Sequence, residues 1–215
     1  MHTIDFWFDP VSPYAYLAFE QLPKSLEGLS VEVRYRPVLF AGLLAHWGHK
    51  GPAEVEPKRA WTYRHVLWLA HRHGVDLQLP FVHPFNPLPL LRLAWACAPA
   101  GFTPSRRVCE QVFHHVWRGG LDAADGERVD ELARALAPRR DPIDADVKHM
   151  LREATDDAIA RGVFGVPTFE AAGRLFWGFD SLDMIAAALR GEPWFDSPAW
   201  SDAAERPPGV RRRTG

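Results

Sequence analysis

The sequence predicts an α/β fold in which a small sheet-bearing domain, assembled from both ends of the chain, is interrupted by an all-helical insertion. Three observations predict it. Apolar residues alternate at period two near both ends, they recur at i, i+3, i+4 and i+7 through the long middle, and the elements run strand, helix, strand, helices, hairpin, helix. The expected division is residues 1–40 and 160–195 for the discontinuous sheet domain, 41–159 for the helical insertion and 196–215 for a disordered tail rich in Pro, Asp and Arg.

Ile4, Phe6 and Phe8 fall at period two, which predicts a strand over residues 3–9, and Asp9-Pro10-Val11 ends it in a turn. Ser12 followed by Pro13 predicts a helix start. A Ser side chain accepts from an orphan backbone N–H, and a proline at the first helical position loses nothing by lacking a donor. Residues 29–36 alternate Leu29, Val31, Val33 and Tyr35 with Ser30, Glu32, Arg34 and Arg36, a second strand with one buried face. A strand, a helix and a strand with a crossover of this length predict a right-handed parallel unit.

From residue 38 to about 160 the period becomes helical. Cys109, Val112, Phe113 and Val116 form one stripe, Val129, Leu132, Ala133 and Leu136 a second, and Val147, Leu151, Ala154 and Ala158 a third. Thr103-Pro104, Gly119-Gly120, Gly126 and Asp141-Pro142 punctuate them. Over residues 58–74 there are two stripes, Tyr63, Leu67 and Ala70 on one side and Trp61, His65, Trp68 and Arg72 on another, so this helix is expected to touch neighbours on two sides. Residues 80–87 carry prolines too densely for a helix or a central strand and are expected to form an ordered connection across a pocket mouth.

Strand patterns then return. Gly165-Val166-Pro167-Thr168-Phe169-Glu170, a turn at Ala172-Gly173 and Leu175-Phe176-Trp177 predict a hairpin, and Asp180 is expected to cap a final helix with Leu182, Ile185 and Leu189 inward, closed by Gly191 and Pro193.

Composition excludes several classes. With 25 basic and 27 acidic residues there is no global positive field for nucleic acid, and the Arg211-Arg212-Arg213 run reads as a solvated end. No stretch approaches the roughly 20 apolar residues of a membrane span, and no secretory leader is expected at MHTIDFWFDP. Cys97 and Cys109 make neither a disulfide framework nor a CxxC pair, which points to a cytoplasmic setting with both as small core residues. The near pairs His46 and His49, His71 and His73, and His114 and His115 lack the spacing and companions of a metal site, so none is expected. Nine Trp and 13 Phe exceed what a Leu and Val core needs, and they fit either wide aromatic packing between helices or an aromatic-lined pocket.

Three motifs occur in order: Phe8-Asp9-Pro10-Val11-Ser12-Pro13-Tyr14, Gly162-Val163-Phe164-Gly165-Val166-Pro167-Thr168-Phe169 and Phe176-Trp177-Gly178-Phe179-Asp180. Together they closely resemble the 2-hydroxychromene-2-carboxylate isomerases, relatives of the kappa-class glutathione transferases with a DsbA-like thioredoxin fold. The likeness covers about residues 3–190. It implies a thioredoxin-like domain interrupted by helices, glutathione as cofactor, a small aromatic acid as substrate and a homodimer. Carried over residue by residue, Ser12 is the catalytic residue beside the glutathione thiol, Pro167 a cis proline, Val166 the backbone clamp for the tripeptide, and Asp180 with Ser181 the γ-glutamyl end of the site. Ser181 stands where the family commonly has Arg, and Phe179 replaces a usually polar residue.

The physical sense of Ser12 is that a helix start favours negative charge, and a thiolate is such a charge. Relatives that exchange disulfides carry a cysteine at this place. A serine offers no sulfur for a mixed disulfide, so sulfur has to come from a cofactor. Lys58, Trp61, Tyr63 and Asn86 are the candidate substrate contacts, with Arg59, His65 and Arg92 also positioned for the cleft, and Asn86 equally explicable as a turn residue before Pro87. His65 and Trp68 stand where the family's long helix usually has Asp and Arg. The resemblance implies interconversion of 2-hydroxychromene-2-carboxylate and trans-o-hydroxybenzylidenepyruvate. The alternatives are a kappa-type transferase or reductase on another electrophile and a non-catalytic binding protein.

Overall fold

Ile4, Phe6 and Phe8 point to one face of the first strand, β1 (His2–Phe8), and Trp7 points to the other; all four are fully buried, and these two faces organise the chain. The computed structural model describes residues 1–207 and 209. After β1 come α1 (Pro13–Ser25), β2 (Val31–Pro37), α2 (Phe40–Trp47), α3 (Glu56–His73), α4 (Leu88–Cys97), α5 (Arg106–Trp117), α6 (Gly126–Leu136) and α7 (Ala145–Ala160). The chain then returns through β3 (Thr168–Ala171), β4 (Arg174–Trp177), α8 (Leu182–Leu189) and the short α9 (Pro198–Ser201).

The four strands lie in the order β2-β1-β3-β4, with β2 parallel to β1, and β3 and β4 antiparallel to their neighbours. This is a thioredoxin-like sheet. Its register sets Phe6 opposite both Tyr35 and Phe169, and the Phe6 and Phe169 rings stack with centroids 4.5 Å apart. On that face α1, α5 and α8 pack through Tyr16, Phe19, Phe113, Trp117 and Ile185. On the opposite face Trp7 joins Leu43 of α2, Leu91 and Trp95 of α4, and Val147 and Leu151 of α7. The inserted helices therefore share both cores with the sheet.

The helical period marks the block without resolving α2 and α4. Residues 90 to 96 of α4 are buried all round except for Arg92, so this helix shows no amphipathic stripe, and α2 is only 8 residues long. Three expectations need correction. In α3 only Val66 and Ala70 are buried; of the second stripe His65 meets Tyr14 of α1, while Trp61 and Trp68 are 65% and 56% exposed, so that stripe is packed on a neighbour only in part. Asp180 does not cap α8: it lies in a 3₁₀ turn (Phe179–Ser181), and Ser181 occupies the cap position without a side-chain cap bond. The tail expected to be disordered from residue 196 continues into α9, because Trp200 packs on Phe176, Trp194 and Phe195. Arg211, Arg212 and Arg213 lie outside the described residues.

Phe113 joins the helical block to the sheet, with its ring 4.9 Å from Phe8, 5.0 Å from Phe19 and 5.9 Å from Tyr16. Phe113→Ala is expected to cost about 3–5 kcal/mol. Because the core is shared, urea unfolding followed by far-UV circular dichroism and by tryptophan fluorescence should show one coincident transition that moves as a whole. Two separated transitions would show that the helices hold together independently of the sheet.

Candidate active site

The turn that leaves β1 is held by side chains from several parts of the chain. Asp9 is fully buried, and its carboxylate accepts the Val11 N–H at Oδ1 and the Phe40 N–H at Oδ2, both at 2.9 Å. The Asp9 carbonyl accepts the Ser12 N–H at 3.0 Å. Trp117 Nε1 donates to the Pro10 carbonyl at 2.9 Å, and His83 Nε2 lies 2.7 Å from the Val11 carbonyl. A carbonyl oxygen only accepts, so His83 carries its proton on Nε2.

Ser12 follows this turn and is 7% exposed. It caps α1 as its local sequence predicts, its side chain accepting from Ala15 N at 3.3 Å. The same hydroxyl donates to the Val166 carbonyl at 3.3 Å, a contact between residues 154 apart in the chain. The Val166-Pro167 bond is cis. Around it Thr168 Oγ1 donates to the Gly165 carbonyl at 2.7 Å and Gly178 N to the Pro167 carbonyl at 2.9 Å. A Cβ at position 165 would stand 2.8 Å from Trp177 Nε1, so a larger residue there would require that ring to move. Gly178, at φ 100, lets the Asp180 carboxylate lie against its backbone.

Beside Ser12, Tyr14 Oη is 2.9 Å from His65 Nδ1, and Trp61 stacks on the His65 ring at 6.0 Å. Burial raises the Tyr14 phenol pKa, and the charge of Asp180 raises it further. Ser12 and Val166 thus meet directly, whereas Trp61 reaches Tyr14 only through the His65 ring and Asp180 acts on the same Tyr14 phenol through its charge. Ser181 is buried, and its hydroxyl proton goes to the Gly178 carbonyl at 2.8 Å. Asn86 accepts from Leu88 N at 3.1 Å, the turn role its sequence allowed, and Lys58 is exposed at the first turns of α3. Tyr63 turns to His83, 2.8 Å from Nδ1 and 3.0 Å from the His83 carbonyl.

Sequence reasoning missed His83, Trp117 and the carboxylate of Asp9. An Asp two residues before an N–H it can accept is a readable turn signal, whereas nothing local marks His83 or Trp117 as partners of residues 10 and 11. A cavity of about 980 Å³ lies elsewhere, along the outer edge of β2 between Arg34, Arg106, Arg140 and Asp157, and includes none of the candidate residues.

The sheet, the Ser at the helix start and the proline loop facing it define a thioredoxin-fold protein with no cysteine at the reactive position. Comparison with known proteins agrees. Residues 3–190 match the DSBA-like thioredoxin domain. A 2-hydroxychromene-2-carboxylate isomerase of Sphingobium xenophagum is 28% identical over 197 residues, 87% of this chain and 97% of that protein. Glutathione S-transferase kappa 1 of Caenorhabditis elegans is 39% identical over 204 residues, 87% of this chain and 90% of that protein. A solved 2-hydroxychromene-2-carboxylate isomerase superposes with a TM-score of 0.76 at 22% identity, covering 95% of this chain and 100% of that one, and supports the fold. The chain belongs to the DSBA-like thioredoxin domain family, alongside the 2-hydroxychromene-2-carboxylate isomerases and kappa-class glutathione transferases. Those relatives are isomerases and glutathione transferases, which supports an enzyme here. Among the described residues no helix is long and apolar enough to cross a membrane.

Burial pushes the Asp9 carboxyl pKa up to about 7, against the opposing pull of the Val11 and Phe40 N–H groups. The folded state therefore holds this proton more tightly than the unfolded chain. The stability it contributes is full below the ordinary carboxylate range and is lost as pH rises toward 7. Asp9→Asn removes one acceptor and the titration together. In urea unfolding between pH 4 and 8 the variant is expected to be less stable, with a gap to wild type that narrows as pH rises; a gap that widens would contradict a protonated Asp9.

Proposed function

We propose that the protein binds reduced glutathione across Val166 and Pro167 and isomerises a planar conjugated aromatic acid, 2-hydroxychromene-2-carboxylate or a related intermediate of aromatic breakdown. The observation that carries this reading is the 3.3 Å approach of Ser12 Oγ to the Val166 carbonyl, which unites the helix start with the loop before the proline. Two backbone donors support the fit. Among the described residues the N–H groups of Val166 and Tyr14 meet no protein acceptor, so one is free for an added strand and the other for an anion at the start of α1.

Bound glutathione supplies a thiol that adds to a conjugated carbon and is later eliminated, allowing rotation about the intervening bond. The protein's part is to hold charge and orientation. Ser12 has one hydroxyl proton, given in this structure to Val166 O, and a thiolate at the helix start competes for it. Hydrogen bonding to the charged form lowers the thiol pKa, and the dipole of α1 acts in the same direction. Val166 O, released from Ser12, then becomes an acceptor for a backbone N–H of the tripeptide. Asp180 faces the γ-glutamyl ammonium in this reading, and the Ser181 hydroxyl, its proton given to the Gly178 carbonyl, can serve there only as an acceptor.

For the acid, Trp61 presents an exposed ring, Lys58 an exposed ammonium, and Arg92 a buried Nε without a partner among the described residues. The cytoplasmic setting and the homodimer rest on the resemblance alone. A second reading, transfer of glutathione to another electrophile, is favoured by the 39% identity to the kappa 1 transferase. Turnover of the chromene acid, with and without glutathione, separates the two.

Ser12→Ala is expected to lose one hydrogen bond to a charged group, about 1.5–3 kcal/mol, and so to slow turnover by roughly one to two orders of magnitude. Thiolate absorbance of bound glutathione against pH should show its pKa moving upward. A lowered melting temperature with an unmoved thiol pKa would leave Ser12 a helix cap. Calorimetry without heat at millimolar glutathione would overturn the cofactor.

A further inference from the structure

The peptide that joins Val11 to Ser12 is held at both ends. Its N–H, on Ser12, donates to the Asp9 carbonyl at 3.0 Å, and its carbonyl, on Val11, accepts from His83 Nε2 at 2.7 Å. The peptide before it is held in the same way, by Asp9 Oδ1 on the Val11 N–H and Trp117 Nε1 on the Pro10 carbonyl. Backbone bonding within the turn accounts for only the first of these four contacts. The two carbonyls depend on rings brought by the helical insertion, and those rings touch, His83 lying 5.4 Å from Trp117.

His83 is itself held. With its proton on Nε2, the neutral ring keeps a lone pair on Nδ1, and Tyr63 Oη lies 2.8 Å from Nδ1 and 3.0 Å from the His83 carbonyl, so its single proton is shared between these two acceptors of the same residue. Burial also lowers the imidazole pKa, against the pull of the Val11 carbonyl, and so favours the neutral ring. We propose that His83, fixed in its Nε2–H tautomer by Tyr63, is a positioning residue that sets the plane of the Val11–Ser12 peptide and thereby aims Ser12 at the thiolate. The proposal rests on the glutathione reading above and adds to it a residue that reaches the sulfur only through the backbone.

The electrostatic reason is direct. A peptide carbonyl is the negative end of a dipole, and the Val11 carbonyl lies one residue from the place where thiolate charge is stabilised. Tied to His83 it keeps a fixed direction and a donor of its own. Untied, it becomes a part-buried acceptor without a protein partner, and rotation of that plane re-aims both Ser12 and the first free N–H of α1. Tyr63, a candidate substrate contact by sequence, contacts the histidine that supports the turn.

The test has two arms. In the ligand-free protein, imidazole ¹⁵N NMR should show His83 as the neutral Nε2–H tautomer at neutral pH, with the preference weakened in Tyr63→Phe. The Nδ1–H tautomer or an imidazolium there overturns the proposal. In the glutathione complex, His83→Ala should raise the bound-thiol pKa by about one unit, a tenfold change in the thiolate equilibrium. His83→Gln, whose side-chain amide can still donate to Val11, should restore most of that shift, which loss of packing alone would not do, and it keeps the test available if His83→Ala fails to fold. Normal glutathione binding with an unmoved thiol pKa in the variants overturns the positioning role alone. Failure of the wild type to bind glutathione overturns the cofactor reading, and the thiolate part of this proposal with it.

Discussion

The structure depends on the turn from Asp9 to Ser12. A chain leaving a fully buried strand end must pair each peptide group it carries into the interior, and here the partners come from five separate places. Asp9 supplies a carboxylate and a carbonyl, Trp117 and His83 supply ring donors, Phe40 shares the same carboxylate, and Val166 receives the Ser12 hydroxyl. An unpaired buried polar group costs about 1–3 kcal/mol, so few of these contacts are dispensable. Helices, connection and proline loop are each held where one of their groups meets the turn.

The aromatic residues divide between core and surface. One set builds a continuous ring-to-ring core, from Phe169 through Phe6, Phe8 and Phe113 to Tyr16 and Trp117. Offset and tilted ring pairs add roughly 0.5–1.5 kcal/mol each beyond the area they bury. A second set, including Trp61, Trp68, Phe164 and Trp177, is exposed, and Phe164 and Trp177 pack together beside the Val166 loop at 4.9 Å. Wide aromatic packing between helices and sheet therefore accounts for the first set, while the second lies at the surface.

Serine at the helix start changes what the fold can do. The thioredoxin arrangement still offers a helix dipole, a backbone edge and a proline loop, all suited to holding a sulfur that the chain itself lacks. Cys109 cannot stand in: it is fully buried and its thiol pKa is raised by burial. Cys97 lies on α4 and is likewise raised by burial.

Local features were readable directly from the sequence. Period two in β1 and the Ser12-Pro13 helix start depend on backbone geometry within a few residues, and the order of elements then points to the thioredoxin-like sheet. The motif resemblance added Val166, Pro167 and Asp180 as a site. Tertiary structure alone decided which side chains complete that site and which are excluded. His83 and Trp117 are 72 and 107 residues from the carbonyls they serve, and Ser181, next to a readable Asp180, turns inward because the Gly178 carbonyl needs its hydroxyl. The same holds for α4, whose stripe vanishes because it is buried on nearly all sides, and for Trp200, which orders a polar tail by finding Phe176 and Phe195. Periodicity records which face of an element is apolar; which distant group satisfies a given carbonyl is set only when the chain has closed upon itself.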